Sequence, residues 1–378
     1  MSSARSRLLE VALLFTRLGF TAFGGPAAHI ALMDEECVRR RGWMTRQQFL
    51  EVLGAANLIP GPTSTELAMH AGFHRAGWAG LVVAGICFIV PAALIVGGLA
   101  AAYVAAGSLP AFEQVLRGVK PVALVVVLQA LVGLARTALA SWRSRVVAVL
   151  AVVAVVAGAP EAAVLIGAGL LLLAGGRTVA AGVGGLVLML PSMLVAAPLA
   201  LAGQTHAAPA LFAYFARAGA LIFGSGYVLF AVLRADLVEH LHWLTEAQLL
   251  DAIAVGQVTP GPVFTSATFI GYLLGGPTGA AVSTVGIFLP AFVASALSVV
   301  LLRRMRESAA ARRFLEGVNA AAVALIALVA LALGRAALLD ATTIVIALAA
   351  AVALGWFRLN SSWVLGAAAA WGVLAAAL

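Results

Sequence analysis

The chain of 378 residues is 63% hydrophobic and only 10% charged, with a mean hydropathy of +1.08. A surface facing water carries about 25% charged residues, so lipid must solvate most of this chain, which excludes a soluble enzyme, a disordered tail and a secreted disulfide scaffold. The net charge of +8 does not point to nucleic acid, because the basic residues stand in short runs between apolar stretches and read as topology signals.

The N-terminal stretch begins with Arg5 and Arg7, carries Glu10 and Arg17, and breaks at Gly24-Gly25-Pro26, without the small-residue cleavage site of a signal peptide. Hydrophobic segments follow one another near 8–32, 47–72, 78–105, 115–138, 143–158, 161–175 and 179–200. They continue near 211–233, 247–273, 278–302, 315–336, 340–356 and 361–378. A spanning helix needs about 20 apolar residues, so the shorter segments read as half-helices or re-entrant pieces. Strands of a transmembrane barrel would alternate over roughly ten residues, and none of these segments does. The expected fold is an all-α polytopic membrane protein with about 10–13 hydrophobic segments, some of them broken or re-entrant helices. Cys37 and Cys87 lie in no CxxC and near no metal-spaced histidine pair, so neither a disulfide framework, a metal site nor a cofactor is expected.

Laid over itself at an offset of 200, the sequence repeats. Phe15, Arg17, Gly19, Phe23 and Gly24 recur as Phe215, Arg217, Gly219, Phe223 and Gly224, Trp43-Met44-Thr45 with Gln48 as Trp243-Leu244-Thr245 with Gln248, and Pro60-Gly61-Pro62 with Thr65 as Pro260-Gly261-Pro262 with Thr265. Ala31, Val38 and Leu50 bring this to 15 identities over the 52 positions from 15 to 66, which Ala and Leu bias does not produce. At offset 199 the match continues through Gly72-Phe73, Pro91 and Gly118-Val119. The expected division is a first repeat over 1–178, a linking hydrophobic segment over 179–200 and a second repeat over 201–378. An odd number of crossings between equivalent points makes the halves antiparallel, the inverted plan of many secondary transporters. Loop charge agrees: 34–46 holds Arg39, Arg40, Arg41 and Arg46, whereas 234–247 sets Arg234 against Asp236, Glu239 and Glu246. The arginine-rich stretch 303–313 also reads as cytoplasmic, which fits inversion only if the Pro-Gly-Pro segments dip into the membrane and return. The crossing count stays open between ten and thirteen.

Proline removes a donor and clashes with the preceding turn, so the helix opened by the capping pattern Thr45-x-x-Gln48 should stop near Ile59 and restart at Pro62 with Gly61 as its cap. That restart frees backbone N–H groups at Thr63, Ser64 and Thr65, and Pro260, Gly261 and Pro262 do the same ahead of Val263, Phe264, Thr265 and Ser266. Two half-helix N-termini meeting near the midplane would make an anion site. The second broken pair is Phe23-Gly24-Gly25-Pro26 and Phe223-Gly224-Ser225-Gly226, where glycine allows close backbone approach to an anion. Asn57 and Gln257, three residues before each Pro-Gly-Pro, could donate to an oxyanion. A half-helix end supplies roughly half a charge, so a dianion needs about one more, for which Arg17, Arg217 and Lys120 are candidates. Glu66 is the candidate proton carrier, Glu51 and Asp251 read as helix-start carboxylates that complement the dipole, and His70 and His74 lack the context of a metal site.

With Phe23-Gly24-Gly25-Pro26 and His29, the Trp43-Met44-Thr45 loop and the duplicated Pro-Gly-Pro-x-x-Thr pattern, the chain resembles the chromate ion transporter family, and nearly its whole length resembles that family's long members with two homologous halves. The resemblance implies a multi-pass protein of the bacterial inner membrane that exports chromate, driven by protons, and confers chromate resistance. Its implied partners are chromate or a related oxyanion, the lipid bilayer and protons, with a homodimer as an assembly state and no nucleic acid. The second half departs from the pattern at Ser225, Gly226 and Leu229, where the first has Gly25, Pro26 and His29. The residues themselves reach only an inverted-repeat anion transporter, so sulfate or another oxyanion remains an alternative. A membrane-embedded enzyme or lipid-handling protein is the alternative from another class, and no catalytic motif supports it.

Overall fold

The computed structural model describes residues 4–23, 25–56, 59–106, 110–159, 161–174, 207–222, 228–307, 309–357, 359 and 361–377. The linking segment 179–200 lies outside these residues, as do Gly24, Asn57 and Gly224-Ser225-Gly226. The described residues are helical, with no strand among them.

In the first repeat α1 (Ala4–Thr21) ends just before Ala22, and α2 (Gly25–Met33) sets off from Gly25 at φ 72°, a backbone state that glycine reaches without strain. It runs on as π-helical turns over Asp34–Arg40, and the loop beyond brings Trp43 back onto Phe15, with ring centroids 6.4 Å apart. α2 therefore returns along α1. The expected capping box then forms: Thr45 N–H donates to Gln48 Oε1 at 2.8 Å and Gln48 N–H to Thr45 Oγ1 at 3.2 Å, opening α3 (Arg46–Ala56).

After Pro60-Gly61-Pro62 the chain enters α4 (Thr63–Ala106), whose first turn is closed by Thr65 and Glu66 N–H groups donating to the Pro62 carbonyl. α3 is described as far as Ala56, Ile59 already stands outside the helix, and α4 starts at Thr63 rather than at the expected Pro62. The second copy shows the reason for the later start, since Pro262 is extended at ψ 133° and stands outside the helix as its cap. α4 is folded back on itself at Ala76-Gly77, where φ changes from −140° to 65°. Gly72 and Gly80 let the two arms touch, for a Cβ at either would overlap the carbonyl oxygen of the other. Arg75, at the end of the short arm, bonds Glu10 at 2.6 Å and lies 5.9 Å over the Trp43 ring. The Pro-Gly-Pro segment thus dips in along α3 and returns along the short arm to the surface it left. The long arm of α4 then crosses, followed by α5 (Pro110–Ala138), α6 (Trp142–Val156) and α7 (Glu161–Leu173).

The second repeat copies this plan. α8 (Ala208–Leu221) is followed by α9 (Val228–Leu233) with π-helical turns over Arg234–His240, and a second capping box at Thr245 and Gln248 opens α10 (Glu246–Val258). Beyond a 3-10 turn at Val263–Thr265, α11 (Ser266–Glu307) doubles back at Gly275-Gly276, with Gly276 at φ 61°. α12 (Ala309–Ala337), α13 (Ala341–Gly355) and α14 (Ser361–Ala377) complete the chain. Among the described residues, Thr63–Ala105, Arg117–Ala138, Val263–Val300 and Arg313–Arg335 are long and apolar enough to cross a membrane. Trp78, Trp142, Trp356 and Trp363 stand exposed at helix ends and turns, the places aromatic side chains take at a lipid headgroup boundary.

The repeats interlock. Arg117 pairs with Asp340, and Ser141 donates to Glu316 Oε1 at 2.7 Å. At offset 199 Arg117 corresponds to Glu316 and Ser141 to Asp340, so these are two copies of one contact. Each joins the first part of one long helix to the residue just beyond the other's end, and α5 and α12 therefore pack antiparallel. Gly118 faces the Ala368 carbonyl of α14 and Gly317 the Ala168 carbonyl of α7, so each repeat's last helix covers the other's long helix. Lipid tails are as apolar as leucine, and such close backbone contact is what holds helices together in a bilayer.

Candidate functional site

Within each Pro-Gly-Pro triplet only the glycine has a backbone N–H to give. Gly61 N–H donates to the Ile222 carbonyl at 2.8 Å, and Gly261 N–H to the Ala22 carbonyl at 2.9 Å. Each loop thereby caps the end of the first helix of the opposite repeat, where helical carbonyls would lack partners. His29 Nε2 reaches the same Ala22 carbonyl at 2.9 Å, and nothing equivalent exists at Leu229, which is buried in the apolar core. The loops are also packed against the opposite repeat: a Cβ on Gly61 would stand 2.7 Å from the Cβ of Ala291, and one on Gly261 2.5 Å from that of Ala92. Thr63, Ser64, Thr65 and Glu66, and likewise Val263, Phe264, Thr265 and Ser266, are buried where α4 and α11 begin. Two helix N-termini with their partial positive charge are thus held inside the protein at the junction of the repeats.

The side chains expected at these termini divide. Thr265 donates to the Pro262 carbonyl at 2.8 Å and Ser266 to the Val263 carbonyl at 3.0 Å, so both hydroxyl protons are engaged within their own turn. Thr65 Oγ1 and Gln257 Nε2 are buried and have no protein partner, which leaves each with a donor to offer. Glu66 is 0% exposed, and neither carboxylate oxygen is hydrogen-bonded. Its Oε1 lies against Gly61, 2.5 Å from where a Cβ would stand. Gly25 makes the turn into α2, Pro26 occupies that helix's first turn, and Pro60, Pro62, Pro260 and Pro262 flank the crossed glycines.

The three candidate cations are each paired with a carboxylate. Arg17 Nη2 bonds Glu36 at 2.7 Å, and Arg217 Nη2 stands 3.5 Å from Asp236. A guanidinium beside lipid needs a counter-charge, and here the counter-charge is duplicated with it, since Glu36 and Asp236 share the offset of 200. The two copies differ in setting. Arg17 is 51% exposed in its side chain and Arg217 only 11%, with Nη1 buried and unpartnered. Burial pushes the Glu36 carboxyl up, but the hydrogen bond and charge of Arg17, with Arg41 and Arg40 beside it, hold it below its usual range. At Asp236 burial outweighs Arg217 and His240, and the carboxyl sits above its usual range. Lys120 pairs with Asp251 at 2.8 Å, and Tyr103 donates to the other Asp251 oxygen at 2.9 Å. Asp251 is therefore more than a dipole-complementing carboxylate: it ties α10 to α5 and α4. Glu51, its counterpart, bonds Gln47 at 3.2 Å.

Arg217→Gln should accordingly lower transport and detergent stability far more than Arg17→Gln: both remove a partner from a buried carboxylate, but Glu36 keeps Arg40 and Arg41, whereas Asp236 has Arg217 as its ion-pair partner among the described residues. Flux and thermal melting of the two variants in parallel check this, and equal losses would refute the ranking.

His70 Nε2 lies 2.9 Å from Ser298 Oγ on α11, and the described residues contain no group of three His, Cys, Asp or Glu side chains able to hold a metal.

Comparison with known proteins bears on this arrangement. A family model described as chromate transporter matches residues 9–174 and again residues 209–373. The chain is 30% identical to a chromate transport protein of Cupriavidus metallidurans, over 97% of this chain and 93% of that one. It is 30% identical to a probable chromate transport protein of Synechococcus elongatus, over 95% and 91% of the two chains. A chromate transport protein of Pseudomonas aeruginosa is 31% identical over 82% of this chain and 77% of its own. No solved structure matches the chain.

Proposed function

This chain belongs to the chromate transporter family, a multi-pass protein of the bacterial inner membrane, and from that premise we propose that it exports chromate from the cytoplasm in exchange for protons and so confers chromate resistance. It acts as a transporter and not as an enzyme. The observation that carries the reading is the pair of crossed Pro-Gly-Pro loops. They hold two buried helix N-termini at the repeat junction, and partial positive charge fixed in a low dielectric attracts a tetrahedral dianion with little reorganisation. Thr65 and Gln257 offer further donors. Because each loop is bonded to the opposite repeat, a movement of one repeat against the other would alter both halves of the site together, as alternating access requires.

The reading includes an inverted topology, with residues 1–178 and 201–378 as the two halves. The antiparallel packing of α5 and α12 supports it. Charge supports it as well. Arg39, Arg40, Arg41, Arg46 and Arg75 gather near Trp43, the contact of His70 with Ser298 brings the end of α11 and its arginines toward that surface, and Arg143 and Arg145 lie close to the Glu316 contact. That surface is assigned to the cytoplasm. Single cysteines placed at Gly42 and Ser141 should be labelled from the cytoplasmic side and those at His242 and Leu339 from the outer side. Labelling of Gly42→Cys and His242→Cys from one side would rule the inversion out.

Transport itself is tested with purified protein in liposomes and labelled chromate. An inside-acid gradient should drive chromate uptake against its concentration, and equal sulfate should displace little of it. Uptake indifferent to the gradient would reject proton exchange, and one-for-one competition by sulfate would favour a general oxyanion carrier.

A further inference from the structure

The crossed loops account for an anion but leave a buried polar row on one side of the molecule unused. Glu66, His70 and His74 recur every fourth residue along the short arm of α4, which puts them on one face, with about 6 Å of helix rise between neighbours. Ala291, Ser295 and Ser298 form the facing row on the long arm of α11. The two rows meet at both ends. Gly61 touches Glu66 Oε1 and Ala291 together, and His70 Nε2 lies 2.9 Å from Ser298 Oγ. Glu66, Ser295, Ser298 and His70 are each 1% exposed or less, whereas His74 is exposed. Two members have no hydrogen-bond partner, the Glu66 carboxylate and Ser295 Oγ.

Desolvated groups of this kind are costly in a helix interface and are retained where an ion or proton must pass. The second repeat has no such row. At either offset Glu66 is answered by Thr265 or Ser266, His70 by Phe269 or Ile270, and His74 by Leu273 or Leu274. At the histidine positions a packing role would have been met as well by those apolar residues.

We propose that Glu66, Ser295, Ser298, His70 and His74 form the route by which the exchanged proton leaves the site for the cytoplasm, built once, between the short arm of α4 and the long arm of α11, and not in the symmetry-related place. The proposal rests on proton exchange as read above and names its path. Ser298 O–H donates at rest to the Ser295 carbonyl at 2.8 Å, which holds the route closed. Opening needs only rotation of that hydroxyl toward His70. Glu66 then gives up its carboxyl proton by way of the Ser295 hydroxyl. Ser298 passes a proton to His70 Nε2 as it receives one, and His70 loses the proton on Nδ1 toward His74 and water. The carboxylate of Glu66 and a neutral His70 remain. His74 is the titratable group that faces His70 among the described residues, with the Arg75–Glu10 pair beside it at the surface. No charged side chain among the described residues is bonded to Glu66, so its proton is controlled by the route and not by a neighbouring ion.

The test uses the full chain in liposomes, with chromate-driven proton movement read by an internal pH dye and chromate–chromate exchange read at equal pH on both sides. His70→Gln keeps a side chain able to bond Ser298 but unable to relay a proton. Ser298→Ala removes the link and Ser298→Thr keeps it. Proton movement should fall by about tenfold or more in His70→Gln and Ser298→Ala, while exchange continues near the wild-type rate and Ser298→Thr behaves as wild type. Wild-type proton movement in His70→Gln and Ser298→Ala, or an equal fall of exchange in both, would overturn the route. Wild-type protein that carries chromate without protons would instead overturn the exchange reading beneath it, so the two failures are distinguishable.

Discussion

Gly61→Ala and Gly261→Ala should each abolish chromate transport while a matched glycine change elsewhere does not. Gly61 sits at φ 135° and Gly261 at φ 90°, regions that a side chain rarely enters. Forcing alanine there costs about 1–3 kcal/mol of backbone strain. The added methyl would also stand 2.5 Å from Glu66 Oε1 and 2.7 Å from the Cβ of Ala291 in the first case, and 2.5 Å from the Cβ of Ala92 in the second. Overpacking adds about 1–3 kcal/mol more. The loop must shift, and when it does its single N–H leaves the Ile222 or Ala22 carbonyl. Gly42→Ala is the control, since Gly42 has φ 59° but nothing within 4 Å of the added methyl. It bears only local strain of roughly 1–2 kcal/mol. Flux per inserted molecule should fall by more than about tenfold in both loop variants and hold in the control. Normal flux in either loop variant would show that its contact with the opposite repeat is dispensable for transport.

Much of this geometry is legible in the sequence for identifiable reasons. The duplicated Pro-Gly-Pro and the Thr45 and Thr245 boxes carry their chemistry locally, so helix starts and breaks follow from single residues. The return of each Pro-Gly-Pro segment was also within reach. Residues 63–75, up to the non-helical Ala76-Gly77, span only about 20 Å as a helix, too short for a hydrocarbon core of about 30 Å. Two kinds of feature were hidden. Partners across repeats, such as Gly61 with Ile222, join residues that one sequence gives no reason to place together. The counter-charges were hidden differently, because Glu36 recurs as aspartate, and a search for identities passes over a repeat of charge. The hydroxyls of Thr265 and Ser266 illustrate a further limit. Residue type marks them as donors, but at the start of a helix the nearest acceptor is their own turn.

Lys120 gives the sharpest division between structural and substrate roles, and the two roles predict opposite outcomes. Its ammonium is 2.8 Å from Asp251, with the side chains 19% and 4% exposed, and Tyr103 satisfies the second oxygen. At offset 199 Asn319 stands where Lys120 does, and Asp251 answers Glu51 at offset 200, so the pair belongs to one side only. Removing one member of a buried pair leaves a desolvated charge, at a cost of about 3–5 kcal/mol, whereas removing both is often close to neutral. If the pair is structural, Lys120→Met and Asp251→Asn should each lower the melting temperature in detergent and the flux. The double variant should recover most of both, because neither residue then leaves a charge behind. If Lys120 instead gives its charge to chromate, Asp251→Asn should free that charge and strengthen chromate binding, and the double variant should bind as poorly as Lys120→Met. The short ion pair and the donated tyrosine hydroxyl favour the first outcome, since a lysine already neutralised offers a passing dianion little net attraction. Melting and chromate affinity of the three variants, measured together, decide between them.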